Sequence, residues 1–298
     1  MKLTVLIPTY NEAQDIRPTL DAACALDFDS FEVLVVDDAS KDNTCAVVRA
    51  YEPKGVRLLA LEQNGGVARA RNIGLRQARG EVTVILNADV QLPKAFAKKI
   101  WQYYEKGADY VLVEAHVSNY DKVFPRYVQT MHHYQYSDHP EVIEWTEGYS
   151  CRTQAALAVG GFPEVFPGAS GEDAIFGDEM KARFKRVWAP EIVVEHIAPD
   201  TLDGYWKQRV GRGRGSAYRV FGHEKQPLSD LRMAKTWLGT ALLIGTIVPM
   251  LWHSAKLVKY SKYGWADWLP LAWAHTLDIA GWQVGFWQGF QELKSSRK

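Results

Sequence analysis

Three cysteines are few for 298 residues, and Cys24, Cys45 and Cys151 are odd in number and far apart. Without a CxxC pair, a reducing compartment is expected rather than a secreted one. The amino end, Met1-Lys2-Leu3-Thr4-Val5, lacks a basic stretch followed by a long apolar run, so no signal peptide is expected. Collagen, a disordered acidic tail and a disulfide-stapled mini-domain are excluded by composition. What is present, 47% hydrophobic and 23% charged residues, suffices for one large core or two modest ones. A net charge of +0 is a cancellation. Residues 1–200 carry 21 Lys and Arg against 29 Asp and Glu, and residues 201–298 carry 14 against 6. An acidic front suits metal ions and proton chemistry, and a basic back suits phosphates or an anionic membrane face.

The first half alternates short Val/Ile/Leu runs with helical patterns, which predicts a wound α/β sheet of mostly parallel, doubly buried strands. Strands are expected at 3–7, 31–36, 56–61, 82–86 and 110–113, with helices near 12–26, 42–51, 67–79 and 94–106. The stretch 117–145 is aromatic and polar without clear periodicity and reads as loops or a short helix. A helix near 173–184 and a strand ending at His196 close a domain of about 200 residues. The ligand site of such a sheet lies beyond the carboxyl ends of its strands.

Beyond residue 200 the character changes. A basic connector over 201–235 holds Gln208-Arg209-Val210-Gly211-Arg212-Gly213-Arg214, and Thr236–Ala255 then runs without a formal charge. As a helix that run spans roughly 30 Å, the thickness of a bilayer core. Trp268–Gln291 is apolar and aromatic but carries Asp278, and seven of the 11 tryptophans lie beyond residue 236. Residues 236–298 are therefore expected to associate with a membrane, either as spanning or as interfacial helices; for each stretch a helical hairpin buried against the soluble domain competes. Lys256, Lys259 and Lys262 between the two stretches oppose a full hairpin. No recognition helix or RNP-like strand accompanies the basic patch, so nucleic acid is not an expected partner.

Four strand-end segments carry the chemistry: Val5-Leu6-Ile7-Pro8-Thr9-Tyr10-Asn11-Glu12; Val35-Val36-Asp37-Asp38-Ala39-Ser40-Lys41-Asp42-Asn43-Thr44; Asn64-Gly65-Gly66-Val67-Ala68-Arg69-Ala70-Arg71-Asn72; and Leu86-Asn87-Ala88-Asp89. With Gly171-Glu172-Asp173 following, their order and spacing resemble glycosyltransferase family 2. The resemblance covers residues 1 to about 200. It implies a GT-A fold, a nucleotide-diphosphate sugar donor and inverting transfer.

The same resemblance implies roles for residues. Pro8, Thr9, Glu12 and Asp38 would line the nucleotide pocket, Asp38 at the base, and Arg69 and Arg71 would lie near the donor phosphates or sugar. Asn87, Ala88 and Asp89 occupy the DxD position. Asp89 would ligate Mn²⁺ or Mg²⁺ with His196, the cation neutralising the leaving diphosphate. Asn87 stands where the family usually has Asp. Asp173 would be the base that takes the acceptor's proton, with Glu172 orienting the acceptor; both also suit the first turn of a helix. Trp145, Glu147 and Tyr149 are candidates for sugar contact, core and turn roles competing. Arg209 and Arg212 would grip a diphosphate or an anionic lipid face.

The tail resembles, over a short stretch, family members that build exopolysaccharide on lipid carriers. The expected activity is transfer of a hexose from a nucleotide-diphosphate sugar to a hydroxyl of a lipid-linked glycan at the cytoplasmic membrane face. Two alternatives stay open: transfer to a polyprenyl phosphate, and a catalytically silent membrane scaffold.

Overall fold

The computed structural model describes residues 1–164, 171–223 and 247–296. Among these, eight strands form one sheet in the order β3-β2-β1-β4-β7-β6-β8-β5. They are β1 (Leu3–Thr9), β2 (Phe31–Asp37), β3 (Val56–Ala60), β4 (Val82–Ile85), β5 (Val90–Gln91), β6 (Tyr110–Val117), β7 (Ser150–Arg152) and β8 (Arg186–His196). Helices α1 (Ile16–Cys24), α2 (Thr44–Arg49) and α3 (Val67–Gln77) connect the first four strands. Then come α4 (Phe96–Glu105), α5 (Val123–Asp138), α6 (Thr153–Ala158), α7 (Glu172–Arg183), α8 (Leu202–Ala217), α9 (Ile247–Leu257) and α10 (Trp268–Ser296).

The parallel expectation holds for half of the sheet. β1 pairs in parallel with β2 and β4, and β2 with β3. The apolar runs explain this: Leu3, Val5, Leu6, Ile7, Leu34, Val35 and Val36 are fully buried, as strands covered on both faces require. The other half is antiparallel, with β7 running against β4 and β6, and β5 against β8. Apolar content reports burial but not direction, so β6 looks like another parallel strand in the sequence.

The described residues divide into two compact units. One comprises 1–116, 140–164 and 172–197; the other takes 117–139 together with 198–223 and 247–296. The sequence pattern places breaks near residues 200 and 235, the second lying outside the described residues. The units interleave instead because 117–145, which reads as loops or a short helix, contains the 16-residue α5. Phe124, Tyr127 and Val128 form its buried face, packed with Tyr205 of α8 and Leu271 and Ala274 of α10. That stripe has helical spacing, but phenylalanine, tyrosine and valine carry it in place of leucines.

In the second unit α8 and α10 lie backbone to backbone. A Cβ on Gly285 would meet the Val210 carbonyl oxygen at 1.9 Å, and one on Gly213 would meet that of Trp282 at 1.8 Å. Gly213, between Arg212 and Arg214, thus serves close helix packing. Arg209 is buried here, 3.2 Å from Asp278 and over the Tyr205 ring. This corrects its assignment to a diphosphate, since Asp278 supplies the countercharge. Arg212, on the same helix, is exposed. Asp278 also accepts the Tyr127 hydroxyl at 2.8 Å, so the polar residue in the middle of 268–291 has an internal purpose. Among the described residues no helix is long and apolar enough to cross a membrane. The uncharged run Thr236–Ala255 lies largely outside them, as does the part of the connector beyond His223.

Overpacking of such an interface typically costs 1–3 kcal/mol. Gly285→Ala should lower the unfolding free energy by about 2 kcal/mol or more in urea titration, whereas exposed Gln288→Ala should change it little.

Candidate active site

The carboxyl ends of β1, β2 and β3 present loops that are laced together by short hydrogen bonds. Asn11 and Ala39 both take left-handed backbone conformations, with φ of 58° and 61°. The Asn11 amide donates to Ser40 Oγ at 2.8 Å, the Lys41 amide to Asn11 Oδ1 at 2.8 Å, and the Glu12 amide to Thr44 Oγ1 at 2.8 Å. Asp37 secures its own turn by accepting the Ser40 amide at 2.9 Å. Asp42 holds the start of α2 by accepting the Thr44 amide at 2.9 Å.

Asp38 is buried, and its two oxygens accept the Gly65 and Gly66 amides at 2.9 and 2.7 Å. Each oxygen retains a further acceptor direction. Gly66, at φ 87°, leads into α3. Thr9 is buried at the end of β1 with its Oγ1 lacking a hydrogen-bond partner. Pro8 is buried inside β1 in register with Val36, and its role is therefore in the sheet. Ala88 is buried too, its carbonyl accepting the Thr19 hydroxyl at 2.6 Å. Arg69 is half-buried against Gly65.

Arg71 is engaged by side chains of the site itself. Only 4% exposed, its guanidinium forks between Glu172 Oε1 at 2.8 Å and Asn87 Oδ1 at 3.0 Å. It lies over the rings of Trp145 and Phe162, at 5.2 and 5.0 Å. Asn87 in turn donates from Nδ2 to Glu147 Oε2 at 2.9 Å. The series Glu172–Arg71–Asn87–Glu147 joins the start of α7 to the end of β4 and to the segment before β7. Tyr149, a candidate for sugar contact, is instead wholly buried, stacked on Trp145 at 4.5 Å and on Tyr110 at 5.7 Å.

The carboxyl groups at these strand ends are crowded. Burial and then the like charge of Glu147 push Asp89 up to about 6, against the pull of His196. Burial, then Asp89, Asp15 and Asp42, push Glu12 up to about 7. Positive charge at this point would relieve both, so the residues suit a divalent cation. Asp89 and His196 are brought side by side and could hold one: Val90 pairs with His196, and the Ile197 amide donates to the Asp89 carbonyl at 3.3 Å. No three His, Cys, Asp or Glu side chains among the described residues converge closely enough to hold an ion unaided.

Glu172 is 2% exposed, and burial raises its pKa despite Arg71; its Oε2 lacks a hydrogen-bond partner. Next to it Asp173 is half-buried in the first turn of α7, after Gly171 at φ 96°. Its Oδ1 accepts the Ala174 amide at 2.8 Å. Asn72, which has no expected role, clamps the Gly160-Gly161 turn by accepting the Phe162 amide at 2.7 Å and donating to the Phe162 carbonyl at 2.8 Å. Its place in the Asn64–Asn72 motif is the available signal. Asp15, near Glu12 and Asp89, carries none.

Glu12 binds its proton more tightly folded than unfolded. Its contribution to stability is therefore full in acid and is lost as pH rises through about 7. In EDTA the melting temperature should fall between pH 5 and pH 8, and Glu12→Gln should flatten that dependence.

The arrangement has counterparts of known type. Residues 4–166, more than half of the chain, match the family Glycosyl transferase family 2. TarS, a poly(ribitol-phosphate) beta-N-acetylglucosaminyltransferase of Staphylococcus aureus, is 38% identical over 102 residues, 33% of this chain and 18% of its own. Poly-beta-1,6-N-acetyl-D-glucosamine synthase of Staphylococcus epidermidis is 22% identical over 238 residues, 74% of this chain and 55% of its own. The chain thus spans about half or less of the length of these relatives. Among solved structures, mannosyltransferase PcManGT from Pyrobaculum calidifontis with GDP-Man and Mn²⁺ has a TM-score of 0.64 at 20% identity, covering 96% of this chain and 87% of that one. S. aureus TarS 1–349 with UDP-GlcNAc has a TM-score of 0.58 at 19% identity, covering 98% and 92%. With the mixed sheet, the laced strand-end loops and the acid pair opening α7, the chain belongs to glycosyltransferase family 2 and has a GT-A-like fold.

Proposed function

We propose that this chain is an inverting, metal-dependent hexosyltransferase that moves a sugar from a nucleotide-diphosphate donor to a hydroxyl of a lipid-linked glycan at the cytoplasmic membrane face. The observation that carries the reading is the buried fork of Arg71, which ties the start of α7, and so Asp173, to the strand end that leads to Asp89. Donor use is supported by the UDP-GlcNAc and GDP-Man carried by the structural neighbours.

Asp173 is the base. One of its oxygens is engaged by the Ala174 amide, and the other takes the proton of the acceptor hydroxyl as the hydroxyl oxygen attacks the anomeric carbon and the bond from that carbon to the nucleoside diphosphate breaks. Glu172 beneath it, fixed by Arg71, orients the acceptor. Thr9, Glu12 and Asp38 face the nucleoside, with the Gly65-Gly66 turn held for close approach. A divalent cation held by Asp89 and His196 would neutralise charge on the departing diphosphate.

Membrane attachment is interfacial in this reading. Leu269, Trp273, Val284 and Trp287 are exposed on α10 at helical spacing, opposite Gly281, Gly285 and Gly289. They form an apolar stripe about 27 Å long at 1.5 Å per residue. Trp252 and Trp265 are also exposed, with the Lys256 ammonium over the Trp252 ring. Rings flanked by lysines suit an anionic lipid surface.

General-base catalysis is typically worth 10²–10⁴-fold. Asp173→Asn should lower kcat by about that factor while leaving the donor KM within about threefold; unchanged turnover would remove Asp173 from the mechanism. Separately, the full chain should sediment with phosphatidylglycerol vesicles, and Trp273→Ser with Trp287→Ser should release about tenfold more of it. Equal sedimentation would locate the attachment elsewhere.

A further inference from the structure

An acid pair at a cation site can be assembled across the fold rather than along one strand. Asn87 sits between a cation and an anion: its Oδ1 accepts from Arg71 at 3.0 Å, and its Nδ2 donates to Glu147 at 2.9 Å. An amide is suited to both roles at once. An aspartate at this position would keep the Arg71 bond but would face the Glu147 carboxylate at the same short distance. Glu147 is half-buried, 60 residues away in sequence, in the segment leading into β7. Asp89 follows two residues beyond Asn87 on the same strand end.

We infer that Glu147, held in place by the Asn87 amide, supplies the second negative charge of the cation site beside Asp89. The inference rests on the proposed reading of this site as one that binds a nucleotide diphosphate with a cation. Asn87 is then a positioning residue, and its amide is what allows the second acid to come from another segment. Because no three ligating side chains among the described residues converge here unaided, Glu147 acts by its charge and its hydrogen bond, with Asp89 and His196 as the ligands.

The test titrates MnCl₂ into the full chain saturated with UDP or, in parallel, GDP, and follows free Mn²⁺ by electron paramagnetic resonance. Glu147→Gln should weaken Mn²⁺ binding at least tenfold. The charge-exchanged variant, Asn87→Asp with Glu147→Gln, keeps a hydrogen bond between the two positions, the introduced amide now being the donor, and returns one negative charge. It should recover affinity to within about threefold of wild type, and a merely structural role for Glu147 predicts no such recovery. Wild-type affinity in Glu147→Gln overturns the inference, as does a double variant as weak as the single one. Nucleotide binding by the wild type with no added Mn²⁺ affinity also overturns it. If the wild type binds neither nucleotide nor Mn²⁺, the reading of the site itself fails.

Discussion

The guanidinium of Arg71 is the point at which the catalytic unit is joined. Buried ions are costly unless their partners are well placed, and breaking such a pair by removing one member typically costs 3–5 kcal/mol. Here the charge reaches Glu172 at the start of α7 and Asn87 at the end of β4 in one rigid fork. The planar group presents fixed donor directions, which a lysine does not. The distance between strand end and helix start is thus set by a hydrogen-bonded side chain rather than by loop length. Trp145 and Phe162 close over it, excluding water that would otherwise weaken the pair.

Around this joint the acids divide into two kinds. Asp37, Asp38 and Asp42 lower the energy of loops by accepting backbone amides, as strand-end carboxylates do when no other partner is near. Glu147 crowds Asp89, and Asp89 crowds Glu12; Asp89 and Glu12 hold their protons to about 6 and 7. Such like-charge crowding is unfavourable in the protein alone. It is characteristic of sites whose ligand brings the opposite charge. The second unit shows the contrasting case: Arg209, Asp278 and Tyr127 satisfy one another internally, and its glycines serve helix contact.

Much of this is legible in the sequence where the signal is contiguous. Val/Ile/Leu runs bounded by turn residues locate β1 to β4, and the acid and glycine motifs that follow them fall at the strand ends where ligands bind. α5 escapes a local reading because its buried stripe is built from Phe, Tyr and Val among histidines. Arg71 and Arg209 read as free cations, since the sequence does not show that their partners lie 101 and 69 positions away. Tyr149 reads as a ligand contact because an aromatic beside a glycine is equally suited to a core.

The sequence by itself determined which segments form buried strands and which acids lie at their ends, because period and burial are local properties of the chain. The tertiary structure alone decided which charges are paired inside the protein. It also set the direction of β6 and β7, the joining of α5 to the C-terminal helices, and the pairing of Asn87 with Glu147. Those outcomes depend on which distant segments converge, and convergence is settled by packing of the whole sheet and its helices rather than by any window of residues.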